Sequence, residues 1–296
     1  MLPFLTEIFC LIDDFCKMFN EKSEHFLTTN TIKRKSKYAM TLPEIMTITV
    51  FFHLSGYKTF KEYYVNYVSE YLTNEFPTLL SYGRFIEIMQ FTLLPLTIFF
   101  YGLNRKITDL YYLDATLLEV CHLKRERSHK VFKGIAKKGK STMGWFFGFK
   151  LHIVINQFGE IMSFAITPGN TNDRDPVAKM MQSLKGWLFG DKGYIGKEFA
   201  EMLQKQGVEL FTKVRSNMKK VALGTAQKFF LSKRTIIETV NDQLKNICQI
   251  EHTRHRSPVN FLVNLVSGLV AYMLKPRKPQ IKFNALPGNI GLVGSN

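Results

Sequence analysis

The chain has 296 residues, 46% hydrophobic and 22% charged, which is enough apolar surface for at least one full core and too much for compositional disorder. Forty Lys and Arg against 24 Asp and Glu leave a net charge of +16, a surplus that favours a polyanionic partner, either nucleic acid or an anionic membrane surface. Residues 1–105 hold ten basic and ten acidic side chains, so the whole surplus lies in residues 106–296. Four irregularly spaced cysteines, Cys10, Cys16, Cys121 and Cys248, argue against a disulfide framework and fit a reducing cytoplasm. Cys248, His252 and His255 share a helical face, but the second cysteine of a two-Cys zinc site is missing. The apolar stretches 91–100 and 261–274 are shorter than the ~20 residues of a spanning helix, and the N-terminus lacks the charged start of a secretory signal. No membrane partner is expected.

The first hundred residues read as an all-helical domain, 1–105. Thr41, Pro43 and Glu44 form an N-cap, a first-turn proline and a capping-box acid ahead of a helix over 45–54 that Gly56 stops. Further helices are expected over 59–72 and, capped by Ser81, over 81–93. Three short helices with tight turns are either a DNA-binding helix-turn-helix or a small bundle, and the pattern leaves both open.

From about residue 106 the pattern changes to strands. Residues 110–118 are rich in Tyr, Leu and Thr, and 149–155 and 161–167 flank a turn at 156–160 as two strands of a hairpin. Asp173 and Pro176 open a helix. Residues 187–190 read as a short buried strand, 197–206 as a helix closed by Gly207, and 208–214 as another strand. Strands followed by strand–helix alternation predict an α/β domain, 106–280, with a mixed sheet flanked by helices. Residues 281–296 are expected to be a flexible tail.

Between the first strand and the hairpin, a loop over 124–140 carries Lys124, Arg125, Arg127, Lys130, Lys133, Lys137, Lys138 and Lys140 against the single acid Glu126. It is either a solvated loop or a contact for the DNA backbone; eight cations this close repel one another unless phosphates arrive, which favours the contact. Trp145 reads more readily as a core side chain than as a platform for an unpaired base.

Asp114 stands inside a strand, where an unpaired carboxylate is costly to bury. Asp191 ends a buried strand, the edge at which open α/β sheets collect ligands. A helix expected over 231–248 brings Arg234, Glu238, Asn241 and Lys245 onto one stripe beside an apolar one; spacing alone equally allows a solvated Arg234–Glu238 pair. Three carboxylates without clustered Cys or His suit a hard cation, magnesium for preference, and two such ions can clamp the attacking and leaving oxygens of a phosphodiester.

Gly190-Asp191-Lys192-Gly193-Tyr194, followed after Asp191 by 46 intervening residues and then Glu238 within Arg234-x3-Glu238-x6-Lys245, resembles the DDE transposases of bacterial insertion sequences. Gly144-Trp145-Phe146-Phe147-Gly148-Phe149-Lys150-Leu151-His152, Asn170-Thr171-Asn172-Asp173 and Glu251-His252-Thr253-Arg254-His255-Arg256-Ser257 also look like neighbours of the acids in that family. The resemblance covers about residues 106–276. It implies an RNase H-like fold in which Asp114, Asp191 and Glu238 are the catalytic acids and hold two Mg2+ ions, with Mn2+ able to substitute. It further implies that Arg234 and Lys245 bind phosphates, that Lys192 and Tyr194 orient the DNA end or the Asp191 loop, and that the chain works at least as a dimer on double-stranded element ends and target DNA in a bacterial cytoplasm. Leu231 stands where the family often has Tyr, which leaves that phosphate contact without a counterpart.

Overall fold

The computed structural model describes residues 2–27, 40–141, 144–213, 222–251 and 255–282. His252, Val214 and residues 283–296 of the expected tail lie outside them. The chain divides into two compact units: a helical one of residues 1–104 with 243–276, and a sheet unit of residues 105–242 with 277–296.

In the helical unit the capping box forms as the sequence predicts. Glu44 Oε2 accepts from the Thr41 backbone N–H at 2.6 Å and from the Thr41 hydroxyl at 2.7 Å, which starts the helix Leu42–Phe52; Gly56 then takes a left-handed φ of +84°, a conformation that suits glycine. The helix capped by Thr59 widens into a π turn at Tyr64–Val68. Ser81 sits at the N-cap position, where its carbonyl accepts from the Phe85 N–H at 2.9 Å but its side chain makes no capping bond. The helical run from Tyr82 continues through a 3-10 turn at Gln90–Thr92 to Gly102, making 21 residues that are long and apolar enough to cross a membrane by length and composition. The sequence reading missed this because it saw only residues 91–100. Phe85, Ile88, Leu96 and Phe100 of that run are buried.

The helix Pro258–Leu274 belongs to the helical unit, which corrects the domain 106–280. Thirteen of its 17 residues are buried, and a helix apolar nearly all round needs helical neighbours on every side.

Among the described residues the sheet unit holds six strands: β1 (Leu110–Cys121), β2 (Lys137–Ser141), β3 (Gly144–Asn156), β4 (Ile161–Pro168), β5 (Gly186–Gly190) and β6 (Val208–Thr212). Their order is β2-β3-β1-β5-β6, with β4 also paired to β3. β1, β2 and β4 run antiparallel to β3, whereas β5 is parallel to β1 and β6 to β5. This is the mixed sheet the sequence predicts. Tyr111, Leu113, Val154, Leu188 and Val208 fill the core on one face, under Val177, Phe199 and Leu203. Asp114 points to the other face.

Three local expectations change. The basic loop 124–140 is built of a 3-10 turn, Leu123–Ser128, and the strand β2, because Gly139 lets the backbone approach closely: a Cβ there would stand 2.2 Å from the Gly169 carbonyl oxygen. The expected helix over 231–248 is broken at Lys233 and Arg234 into Thr225–Ser232 and Thr235–Asp242, followed by a π turn, Gln243–Ile247. Ile281 of the expected tail is buried, and its N–H donates to the Gln157 carbonyl at 2.9 Å.

Candidate active site

The register of three parallel strands builds the site. Tyr112 on β1 pairs with Phe189 on β5, and Phe189 with Phe211 on β6. The rings stack, with centroids 5.5 and 5.3 Å apart. Side chains alternate along a strand and neighbouring strands lie about 4.8 Å apart. Two residues beyond each ring, therefore, Asp114, Asp191 and Lys213 emerge side by side on the same face. Tyr112 further anchors the row: its hydroxyl donates to the Phe230 carbonyl at 3.2 Å, holding the Thr225–Ser232 helix over this face.

Each acid has a protein partner. Asn241 Nδ2, on the helix Thr235–Asp242, donates to Asp114 Oδ2 at 3.0 Å, while the Asn241 carbonyl oxygen is buried without a partner. Asp191 Oδ1 accepts from the Gly193 N–H at 2.8 Å. A Cβ on Gly193 would crowd that same oxygen at 3.0 Å, which accounts for glycine in the turn. Arg234 donates to Glu238 Oε1 at 2.5 Å.

Burial pushes the Asp114 carboxyl up to about 6; the Ala115 N–H and the Arg234 charge oppose the rise, and the charges of Asp191 and Glu238 add to it. Asp114 therefore senses the charges of both other acids. Among the described residues no group of three His, Cys, Asp or Glu is drawn together closely enough to hold a metal ion, each of these acids being turned to its own partner. The chemistry of the donors nevertheless fits a divalent cation, since all are carboxylate oxygens.

Gly190, Asp191, Lys192, Lys213 and Arg234 line a cavity of about 230 Å³. An acid, two lysines and an arginine around such a space suit a phosphate held beside a carboxylate. Lys213 escaped the sequence reading because only the β5–β6 register brings it beside Asp191. The role of Asn241 escaped it too, although its place on the Glu238 stripe was the available signal.

Tyr194 is 2% exposed, which corrects its assignment as a DNA contact. Its ring packs against Gly190 and closes the underside of the Asp191 turn. Lys245 lies in the helical unit, where it pairs with Glu251 at 2.9 Å. All eight cations of 124–140 are exposed, as is Lys192. Trp145, read as a core residue, is 55% exposed. Its ring takes Lys138 Nζ at 4.9 Å and Lys140 Nζ at 5.7 Å from the centroid.

Residues 104–258 match the family described as Transposase DDE domain. No curated protein matches the chain. Among solved structures it is similar to the piggyBac transposase synaptic complex with hairpin DNA, at 10% identity over 93% of this chain and 75% of that one, with a TM-score of 0.49. It is also similar to the Mos1 strand transfer complex, at 13% identity over 84% and 81%, with a TM-score of 0.23.

Proposed function

The chain belongs to the family of transposase DDE domains, a DNA transposase acting by strand cleavage and transfer, and from that premise we propose that Asp114, Asp191 and Glu238 are its catalytic acids and that it moves a bacterial insertion sequence. The observation that carries the assignment is the shared register of β1 and β5, which sets Asp114 and Asp191 in one row.

DDE domains use divalent metal ions, and here the three carboxylates would hold two of them, Mg2+ for preference. When bound, they supply the positive charge that activates the attacking oxygen and steadies the leaving one. Asn241 orients Asp114 through its amide. Glu238 would exchange Arg234 for the metal: its carboxylate is 53% exposed, although the guanidinium is only 19% exposed, so the pair is partly screened by solvent. Arg234, freed, joins Lys192 and Lys213 in holding the phosphate that lies against Asp191, Arg through its two-pronged fork and the lysines as point charges. The reaction is an in-line displacement at phosphorus. Water attacks first and releases a 3′ hydroxyl; that hydroxyl attacks target DNA next, expelling a target 3′ oxygen. The exposed cations of 124–140 bind the DNA backbone. Joining two element ends in one event calls for at least a dimer on double-stranded DNA in the cytoplasm.

The test brackets a marker gene with the DNA flanking this reading frame and counts marker relocation in cells making the native protein or Asp191→Asn. Relocation that disappears with Asp191→Asn supports both the transposition and the acid. Binding of the end DNA without relocation by either protein makes this copy a catalytically silent DNA-binding protein.

A further inference from the structure

The face of the sheet that carries Asp114 also carries a row of rings along β3. Asp114 is paired with Ile153, and regular alternation puts Leu151, Phe149, Phe147 and Trp145 on the same side. Phe149 is covered by Phe132 and Phe147 by His129, with ring centroids 5.6 and 6.2 Å apart. Trp145, the last of the row, has no ring over it among the described residues, only the two lysine ammonium groups. β2 places both lysines on that side, since Lys140 is paired with Trp145 and Lys138 with Phe147.

We propose that Trp145 is a stacking platform for an unpaired DNA base, with Lys138 and Lys140 taking the phosphates on either side of it. The proposal rests on the reading of the chain as a transposase. An indole between two cations suits a partner that is flat and aromatic at its centre and anionic at its edges, and a nucleotide has both features. In the free protein the ammonium groups rest over the ring. On DNA they move to phosphate oxygens, and the base replaces them on the exposed ring, which every base can do because each has a π face. An apolar protein partner would instead bury the two ammonium groups unpaired, at a cost.

Ile153, level with Asp114, and Trp145 stand eight positions apart on β3. At about 3.3 Å per residue the span is at most roughly 26 Å, and at 3.4 Å per nucleotide the held base lies within about eight nucleotides of the scissile phosphate. Trp145 thus reads a distortion near the cut, away from the acids themselves.

The test uses the full-length protein without divalent metal, so that binding is measured apart from cleavage. Two probes share one sequence: a fully paired duplex, and a fork with a single unpaired 2-aminopurine. The native protein is expected to quench the 2-aminopurine and to prefer the fork. Trp145→Ala should lose the quenching and lower that preference roughly tenfold, Trp145→Tyr should keep most of both, and Lys138→Ala with Lys140→Ala should weaken the two probes together. If both probes bind equally well to the native protein and to Trp145→Ala, the stacking role is wrong and the transposase reading stands. If neither probe binds at all, both fall. Anionic vesicles that bind in a Trp145-dependent way while the fork does not would make the ribbon a membrane contact instead.

Discussion

At the scale of single residues, Asp114 stands against stability. Its carboxyl ordinarily titrates near 3.8 and is raised to about 6 in the folded chain, so the folded state binds the proton more tightly than the unfolded one. Stability is then greatest below the unfolded value and falls as the pH rises from about 4 through about 6, by on the order of 3 kcal/mol for a shift of this size. Asp114→Asn keeps an acceptor for Asn241 and removes the charge. In metal-free buffer at neutral pH it should melt several degrees higher than the native protein by calorimetry, while marker relocation is lost. A lower melting temperature would mean that Asp114 is held by favourable contacts and that burial costs it nothing. Lys213, next to Asp191 in the strand row, gives a second prediction at this scale. Lys213→Ala should reduce strand cleavage by roughly tenfold or more with little change in melting temperature, since the side chain is exposed; unchanged cleavage would remove it from the phosphate site.

At the scale of elements, what the sequence makes legible is local. The hairpin of β3 and β4 is visible because alternation on both sides of a turn needs no distant partner, and Asp191 stands out because a carboxylate ends a buried run. Three features depend on pairing between segments far apart in the chain and were hidden. The β1–β5 register converts two separate acids into neighbours, the β5–β6 register adds Lys213, and Phe132 and His129 cover Phe149 and Phe147 while Trp145 is met, among the described residues, only by lysine ammonium groups. β2 was hidden for another reason: a run of lysines has low strand propensity, and only the close approach at Gly139 allows it to pair. That packing predicts an effect without a charge change. Gly139→Ala would drive a Cβ into the Gly169 carbonyl and displace β2 from β3, costing about 1–3 kcal/mol of stability. DNA affinity should fall with it although every cation remains, as measured by fluorescence anisotropy. Unchanged affinity would show that the cations act as a charged loop and need no ribbon.

At the scale of the whole molecule, a surplus of +16 makes DNA binding a function of salt, and three histidines, two buried and one partly buried, make folding a function of pH. The logarithm of affinity should fall with the logarithm of salt with a slope near −0.9 for each phosphate neutralised, so engagement of five or more of the eight cations of 124–140 gives a slope steeper than about −4.5 in a titration. The pH response follows from His53, His152 and His255, each pushed down to about 4 by burial. Their ordinary value is 6.5, so the unfolded chain takes up these protons first as the pH falls. Their contribution to stability is complete above about 6.5 and is lost progressively toward 4, up to on the order of 3 kcal/mol for each. Asp114 acts in the opposite sense over part of the same window, regaining a similar amount as it is protonated below about 6. Three groups against one decide the direction. The melting temperature should therefore fall by roughly ten degrees or more between about pH 7.5 and about pH 5, and in Asp114→Asn, which lacks the compensating gain, it should fall more steeply still. A melting temperature that holds or rises over that interval would mean that the histidines accept protons in the folded state, and that their burial is looser than the packing around them indicates.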